Sequence, residues 1–266
     1  MGKCIVIPDV HGRSFWREAV KELDGQAKVV FLGDYVDPYR REGILPEEAL
    51  AGLEVIIDLK KKYPDRVVLL LGNHDLGYLD PDINTCRRDS FRAMKLNRLF
   101  GENLDLFDLV HIDTISGKQI LFSHAGIAED WVRRHNDIVD ADRPERLNEL
   151  LHSADRDALF RALAEVSWYR GGSAPIGSPV WADVDEYRNG TPLIPGYYHI
   201  FGHTFQPGGP VRVGDQGVCV DCGRAYIINA PLRSIYKHDN HMERYDFRGN
   251  PQSEPLPALG PTPRES

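Results

Sequence analysis

Five short stretches of this chain carry side chains able to hold a metal ion or move a proton. They are Asp9-Val10-His11-Gly12, Gly33-Asp34-Tyr35-Val36-Asp37, Gly72-Asn73-His74-Asp75, His124-Ala125-Gly126 and Gly202-His203-Thr204. As ligands they offer two aspartates (Asp9, Asp34), three histidines (His11, His124, His203) and one asparagine (Asn73), more than a single ion can use. Mixed oxygen and imidazole donors suit Mn, Fe or Zn rather than Ca or Mg, and an aspartate with two oxygens can bridge two ions about 3.5–4 Å apart. Such a pair makes a nucleophile from water at neutral pH and polarises a phosphoryl oxygen. That is the equipment for hydrolysing a phosphate ester.

Ligands spread over almost the whole chain need elements that bring them to one point. Each stretch follows a short, apolar, mostly β-branched run: residues 3–8 (KCIVIP), 28–32 (KVVFL), 66–71 (RVVLLL), 119–122 (QILF) and 197–201 (YYHIF). Runs of this length bounded by turns predict strands buried on both faces. Helical segments are predicted between the first three, at 14–23 with Ser14 as N-cap and at 46–62 with Pro46 and a Glu pair in the first turn. Strand, helix, strand, helix, strand implies βαβ units, and the carboxyl ends of parallel strands converge on one crevice. A further helical pair is predicted within 137–166 and a Gly- and Pro-punctuated loop over 168–198. Strand-like runs at 211–213, 217–220, 225–228 and 234–236 predict an antiparallel second sheet. The fold class expected is α/β, a two-sheet β-sandwich flanked by helices. Residues 1–249 form the catalytic domain in this reading, and 250–266, with five prolines, a disordered tail.

Charge narrows the partners. Lys and Arg total 32 against 40 Asp and Glu, a net charge of −8, so the overall field repels nucleic acid and anionic membranes. An anionic substrate must therefore meet a local positive site. No run of apolar residues is long enough for a membrane span, and the opening MGKCIVIPDVHG lacks the pattern of a secretory signal, which predicts a cytoplasmic protein. Cys219-Val220-Asp221-Cys222 has CxxC spacing, but Cys4 and Cys86 do not form a second pair. Free thiols at a strand end are expected rather than a zinc site.

Taken in order, DVHG, GDYVD, GNHD, HAG and GHT resemble the signature of the calcineurin-like metallophosphoesterases. The form of these motifs is most similar to the branch of bacterial serine/threonine phosphoprotein phosphatases and symmetrical dinucleoside tetraphosphate hydrolases. The resemblance runs from Lys3 to about Tyr236 and implies a β-sandwich flanked by helices. It also implies Asp9 and His11 on a first metal, Asp34 as the bridging carboxylate, and Asn73, His124 and His203 on a second. By the same resemblance, His74 is the proton donor to the leaving group, paired with Asp37, and a metal-bridging hydroxide attacks phosphorus. A carboxylate beside an imidazole orients it and keeps it protonated, which suits that role. The cofactors implied are two divalent transition-metal ions, Mn first, with Fe or Zn as alternatives.

The chain departs from the branch where phosphate is held. GDxVD is followed in that branch by Arg-Gly, and here by Pro38 and Tyr39. Arg40 or Arg41 can reach back in its place, since the guanidinium matters more than its chain position. The second phosphate arginine is sought at Arg170 in WYRGG, beside Gly171 and Gly172, or at Arg188 in EYRNG. The expected substrate is a phosphoprotein, nucleotide or small phosphoester, with a phosphomonoesterase of protein phosphatase type as the leading reading. A dinucleoside polyphosphate hydrolase, with Tyr35, Tyr39 or Trp181 stacking a base, is the alternative enzyme. A nuclease is disfavoured because Thr204 is followed by Phe205 rather than by a second histidine. A non-catalytic scaffold on the same fold is the alternative of another class. His199, inside a strand run, is expected in the core.

Overall fold

The β-branched runs form strands whose two faces serve two different cores. In the computed structural model, which describes residues 3–228 and the backbone of 234–238 and 244–246, β1 (Cys4–Ile7), β2 (Lys28–Phe31), β3 (Val67–Leu70) and β4 (Phe107–Asp108) lie side by side in parallel. A second sheet contains β5 (Val110–Ile115), β6 (Lys118–Ser123), β7 (Tyr198–Phe201), β8 (Val211–Val213) and β9 (Gly217–Cys219), in the order β5-β6-β7-β9-β8. Within it β6, β7 and β9 are parallel, and β5 and β8 are antiparallel edge strands. The chain then returns to the first sheet through β10 (Ala225–Ile228), which pairs antiparallel with β1 and is followed outward by β11 (Ser234–His238) and β12 (Arg244–Asp246).

Side chains alternate across each strand, so one set faces the other sheet and the next set faces helices. Val6, Val30, Val68 and Leu70 meet Ile120, Phe122, Ile200 and Val218 between the sheets. Ile5, Val29, Phe31 and Leu69 turn outward to a larger core with Trp16 and Ala19 of α1 (Trp16–Ala19) and Leu53 and Ile56 of α2 (Pro46–Lys62). Helix α2 has the predicted bounds. Pro46 opens it, Glu47 and Glu48 occupy the first turn, Lys60 to Lys62 the last, and Glu48 Oε2 accepts the Leu45 N–H at 2.8 Å.

Other elements differ from expectation, each for a local reason. Ser14 does not cap a helix. α1 is a single turn that tightens into a 3₁₀ segment at Val20–Gly25, because the chain must reverse through Gln26 to enter β2. Three helices carried no cap or periodicity long enough to predict them: α3 (Asn73–Leu79), α4 (Ala93–Glu102) and α5 (Glu129–Arg134). The pair expected within 137–166 is present as α6 (Arg146–Leu151) and α7 (Asp157–Leu163), and the stretch expected as loop holds α8 (Val184–Arg188), capped by Asp183. The strands after residue 210 are not one antiparallel sheet. β8 and β9 join the second sheet and β10 to β12 the first, since adding to the exposed edge beside β1 satisfies backbone groups that a separate sheet would leave open. The proline-rich segment 250–266 lies outside the described residues.

Candidate active site

Every motif sits just past the carboxyl end of a strand. Asp9 follows β1, Asp34 follows β2, Asn73 and His74 open α3 after β3, His124 follows β6 and His203 follows β7. These turns are tight enough to force non-glycine residues into left-handed backbone: His11 at φ 44°, Asp34 at 53°, Asp37 at 59° and His203 at 68°. Such conformations cost about 1–3 kcal/mol each and persist only where the surroundings hold them. Here the Asp75 carboxylate does much of the holding, accepting N–H groups from Asp34 at 2.7 Å, Gly72 at 2.9 Å and Tyr35 at 3.0 Å. Gly72 cannot carry a side chain. A Cβ there would lie 2.2 Å from Asp34 Oδ1 and 2.7 Å from the His124 ring.

The side chains converge on one small volume. His124 Nδ1 lies 2.8 Å from the Leu32 carbonyl and donates to it, which leaves Nε2 as an acceptor. That Nε2 faces Asn73 Oδ1 at 3.1 Å, His203 Nδ1 at 3.1 Å and Asp34 Oδ1 at 3.7 Å. His11 repeats the device, with Nδ1 on the Val36 carbonyl at 2.9 Å and Nε2 turned to Asp34 Oδ2 at 3.4 Å and Asp9 Oδ2 at 3.9 Å. Tying one ring nitrogen to a carbonyl so that the other points inward is how proteins orient imidazole toward a cation. Two overlapping sets result, Asp9, Asp34, His124 and His203 in one and His11, Asp34 and His74 in the other, with Asp34 in both. All of these residues are buried. Burial drives the His11 pKa down to about 3 against the pull of Asp34, and drives His203 well below the usual range, so both rings are neutral. Burial alone would raise Asp34, but His124, His74 and His11 around it hold its carboxyl below the ordinary value. An ionised carboxylate beside the neutral His11 and His203 rings, with oxygen and nitrogen ligand atoms at 3–4 Å, fits divalent cations.

His74 is set apart from the other rings by its partner. Its Nδ1 is 2.7 Å from Asp37 Oδ2, and the other oxygen of Asp37 accepts the Tyr78 hydroxyl. Burial opposes the charged form of His74, but the Asp34 charge and the bond to Asp37 outweigh it and raise the pKa to about 10. Its Nε2 faces Arg87 Nη2 at 3.3 Å, and the same Nη2 lies 3.4 Å from His11 Nε2.

Arg87 was not anticipated from the sequence. It donates to the Asp37 carbonyl at 3.2 Å, stacks 3.8 Å over the Tyr39 ring and has φ 63°. The only signal available was the doubled arginine at 87 and 88, which belongs to no motif. Of the arginines proposed for phosphate, Arg40 is exposed and lines a cavity beside Asp37, while Arg41 stands 5.1 Å from the Tyr39 ring. Arg170 is joined to Asp183 at 3.2 Å, and its charge is felt at His203. Gly172 beside it is accounted for by packing. A Cβ on Gly172 would meet the Val166 carbonyl at 2.1 Å, so that residue is needed for packing. Arg188 pairs with Asp185 at 2.9 Å. Tyr35 is fully buried with its hydroxyl on the Leu70 carbonyl, so it cannot stack a base. Tyr39 and Trp181 do flank the cluster, edge-on to His11 and His203. Cys219 is buried beneath the Gly202 and Thr204 carbonyls, and all four cysteines are free thiols. His199 lies in the core, as expected.

The family model described as calcineurin-like phosphoesterase matches residues 2–207. A probable serine/threonine-protein phosphatase of Encephalitozoon cuniculi is 28% identical over 208 residues, which are 73% of this chain and 41% of that protein. The serine/threonine-protein phosphatase 4 catalytic subunit of Candida glabrata is 24% identical over 252 residues, 89% of this chain and 74% of that one. The chain thus spans about two fifths of the former and about three quarters of the latter. Among solved structures, the cold-active protein-tyrosine phosphatase of a psychrophilic Shewanella species has a TM-score of 0.55 at 19% identity, over 97% of this chain and 81% of that one. That likeness is one of fold. Among the described residues no helix is long and apolar enough to cross a membrane.

Proposed function

The chain belongs to the calcineurin-like phosphoesterase family, and on that premise we propose that it hydrolyses phosphate monoesters at a two-ion centre, with phosphorylated serine or threonine side chains as the substrate class. The observation that carries this is the convergence of ligand atoms from Asp9, His11, Asp34, Asn73, His124 and His203 beside the His74–Asp37 pair. Ions held there, for which Mn is our first choice, supply a nucleophile from water near neutral pH and stabilise charge on the phosphoryl oxygens. The relatives named as serine/threonine-protein phosphatases support the choice of substrate.

His74 gives its Nε2 proton to the departing alkoxide, and Asp37 holds the ring by Nδ1 and favours its charged form. Without that proton the leaving group would depart as an unstabilised oxyanion. Arg87 reaches the space between His11 and His74 and takes two phosphate oxygens, in the part that Arg-Gly after GDxVD plays in the branch this chain resembles. Arg170, already held by Asp183 beside His203, supplies positive field on the opposite side. The four free thiols fit a reducing, cytoplasmic setting.

The test is turnover of p-nitrophenyl phosphate, bis(p-nitrophenyl) phosphate, a phosphoserine peptide and diadenosine tetraphosphate by Mn-loaded protein and by His74→Asn. We expect the monoester and the peptide to be hydrolysed, and His74→Asn to lose about 10²–10⁴ in kcat with metal content unchanged. Activity on the diester or the dinucleotide alone would overturn the substrate assignment. Protein that binds no ion and stays inert with added Mn would overturn the enzyme reading.

A further inference from the structure

A cavity of about 310 Å³ opens beside His74, with Asp37 and Arg87 in its wall together with Arg40, Arg88, Ile44 and Phe91. Asp37 and Arg87 also contact the His74 ring, so the cavity begins where the leaving group departs. Its charge is unusual for this molecule. The protein carries a net charge of −8, yet among the described residues none of Arg40, Arg87 and Arg88 forms an ion pair, and the buried Nε of Arg88 has no hydrogen-bond partner. The carboxylates nearby are committed, Asp37 to His74 and Tyr78, and Asp89 to Arg92. Beyond the cavity the surface turns apolar, with Phe91 88%, Met94 87% and Leu45 58% exposed.

We propose that this cavity is a specificity subsite for phosphopeptides, in which Arg40 and Arg88 bind an acidic side chain adjacent to the phosphorylated residue and the Phe91, Met94 and Leu45 surface receives the apolar residue beyond it. The assignment rests on the phosphopeptide reading of the active site. Guanidinium groups without an ion-pair partner in an otherwise acidic protein attract a carboxylate and disfavour a basic side chain at the same place. A long apolar rim suits a chain continuing away from the phosphate more than a compact small molecule, which would end inside the cavity.

The experiment compares kcat/KM of the Mn-loaded protein on two phosphoserine peptides that differ only in Glu or Gln on both sides of the phosphorylated residue. The wild type is expected to prefer the acidic peptide about tenfold at low salt, with the preference shrinking at 0.5 M salt as surface charges are screened (roughly a 10 Å screening length at 0.1 M). In Arg40→Gln/Arg88→Gln the ratio of the two peptides falls close to one, whereas Arg133→Gln/Arg143→Gln, which removes the same two charges at exposed positions outside the cavity, keeps it. Because each protein is read as a ratio, a general loss of activity cancels. Should the double variant fail to fold, Arg40→Gln alone, at an exposed position, is expected to lose about threefold of the preference. A wild-type ratio near one, or a ratio surviving in the variants, overturns the subsite and leaves the phosphatase reading standing. Refusal of both peptides with p-nitrophenyl phosphate still hydrolysed overturns the phosphopeptide reading, and the subsite with it.

Discussion

The same strands are built in opposite ways in their middles and at their ends. Between the sheets, Val6, Val30, Leu70, Phe122 and Ile200 form an apolar interface, edged by His111 and the Lys28–Asp113 pair, in which each buried apolar side chain stabilises the fold by about 1.5–3 kcal/mol. A few residues further along the chain, Asp9, Asp34, Asn73, His124 and His203 crowd lone pairs together in strained turns. The first region stabilises and does no chemistry. The second costs stability until a cation arrives, and it is tolerable because the first is rigid enough to hold it.

The sharpest way to break this contrast is Asp34→Asn, which removes the carboxylate common to both clusters. We expect loss of bound ion by elemental analysis and a fall in turnover of about 10³-fold. The mirror experiment is Ile200→Ala. Denaturant unfolding is expected to show a loss of about 2–5 kcal/mol, with kcat of the folded fraction within about twofold of wild type.

Histidines sharpen the comparison further, because both regions bury them. His199, inside β7, donates from Nε2 to the Ile194 carbonyl at 3.0 Å, and burial lowers its pKa to about 4. Folded, it stays neutral, whereas the unfolded chain takes up a proton below about pH 6.5. Stability is therefore lost as pH falls from about 6.5 toward 4, by up to about 1.4 kcal/mol per pH unit from this residue. His199→Gln should flatten that slope by about one proton in unfolding curves measured across the window. His74 moves the other way, its pKa raised to about 10, so it keeps its proton until pH rises through that value. Asp37→Asn removes one cause of the rise, and the alkaline limb of the kcat profile should shift down by about one pH unit.

Much of the active region was legible because metal and proton chemistry restrict residue types. Asp9, His11, Asp34, Asn73, His74, His124 and His203 stood out as turns after apolar runs, and helix Pro46–Lys62 was readable from Pro46, its acidic first turn and its basic last turn. Arg87 and Asp75 were harder to see. The first stands in a left-handed turn after α3 that no local pattern announces, and the second holds two backbone N–H groups of a loop about 40 residues away, besides that of Gly72 nearby. Tyr35 shows the converse error, an aromatic in a motif that the fold uses as core.

By itself the sequence determined the strands that precede the five motifs, because β-branched runs between turns have few alternatives, though not β4 or β5, and it determined the chemistry available at their ends, because ligand types are chosen by the ion. Which sheet each late strand joins, which arginine stands beside His74, and which carboxylates are left without a cation were decided only in three dimensions. Those outcomes depend on edge pairing and on charges brought within 3–4 Å by residues far apart in the chain, and neither leaves a periodic trace along it.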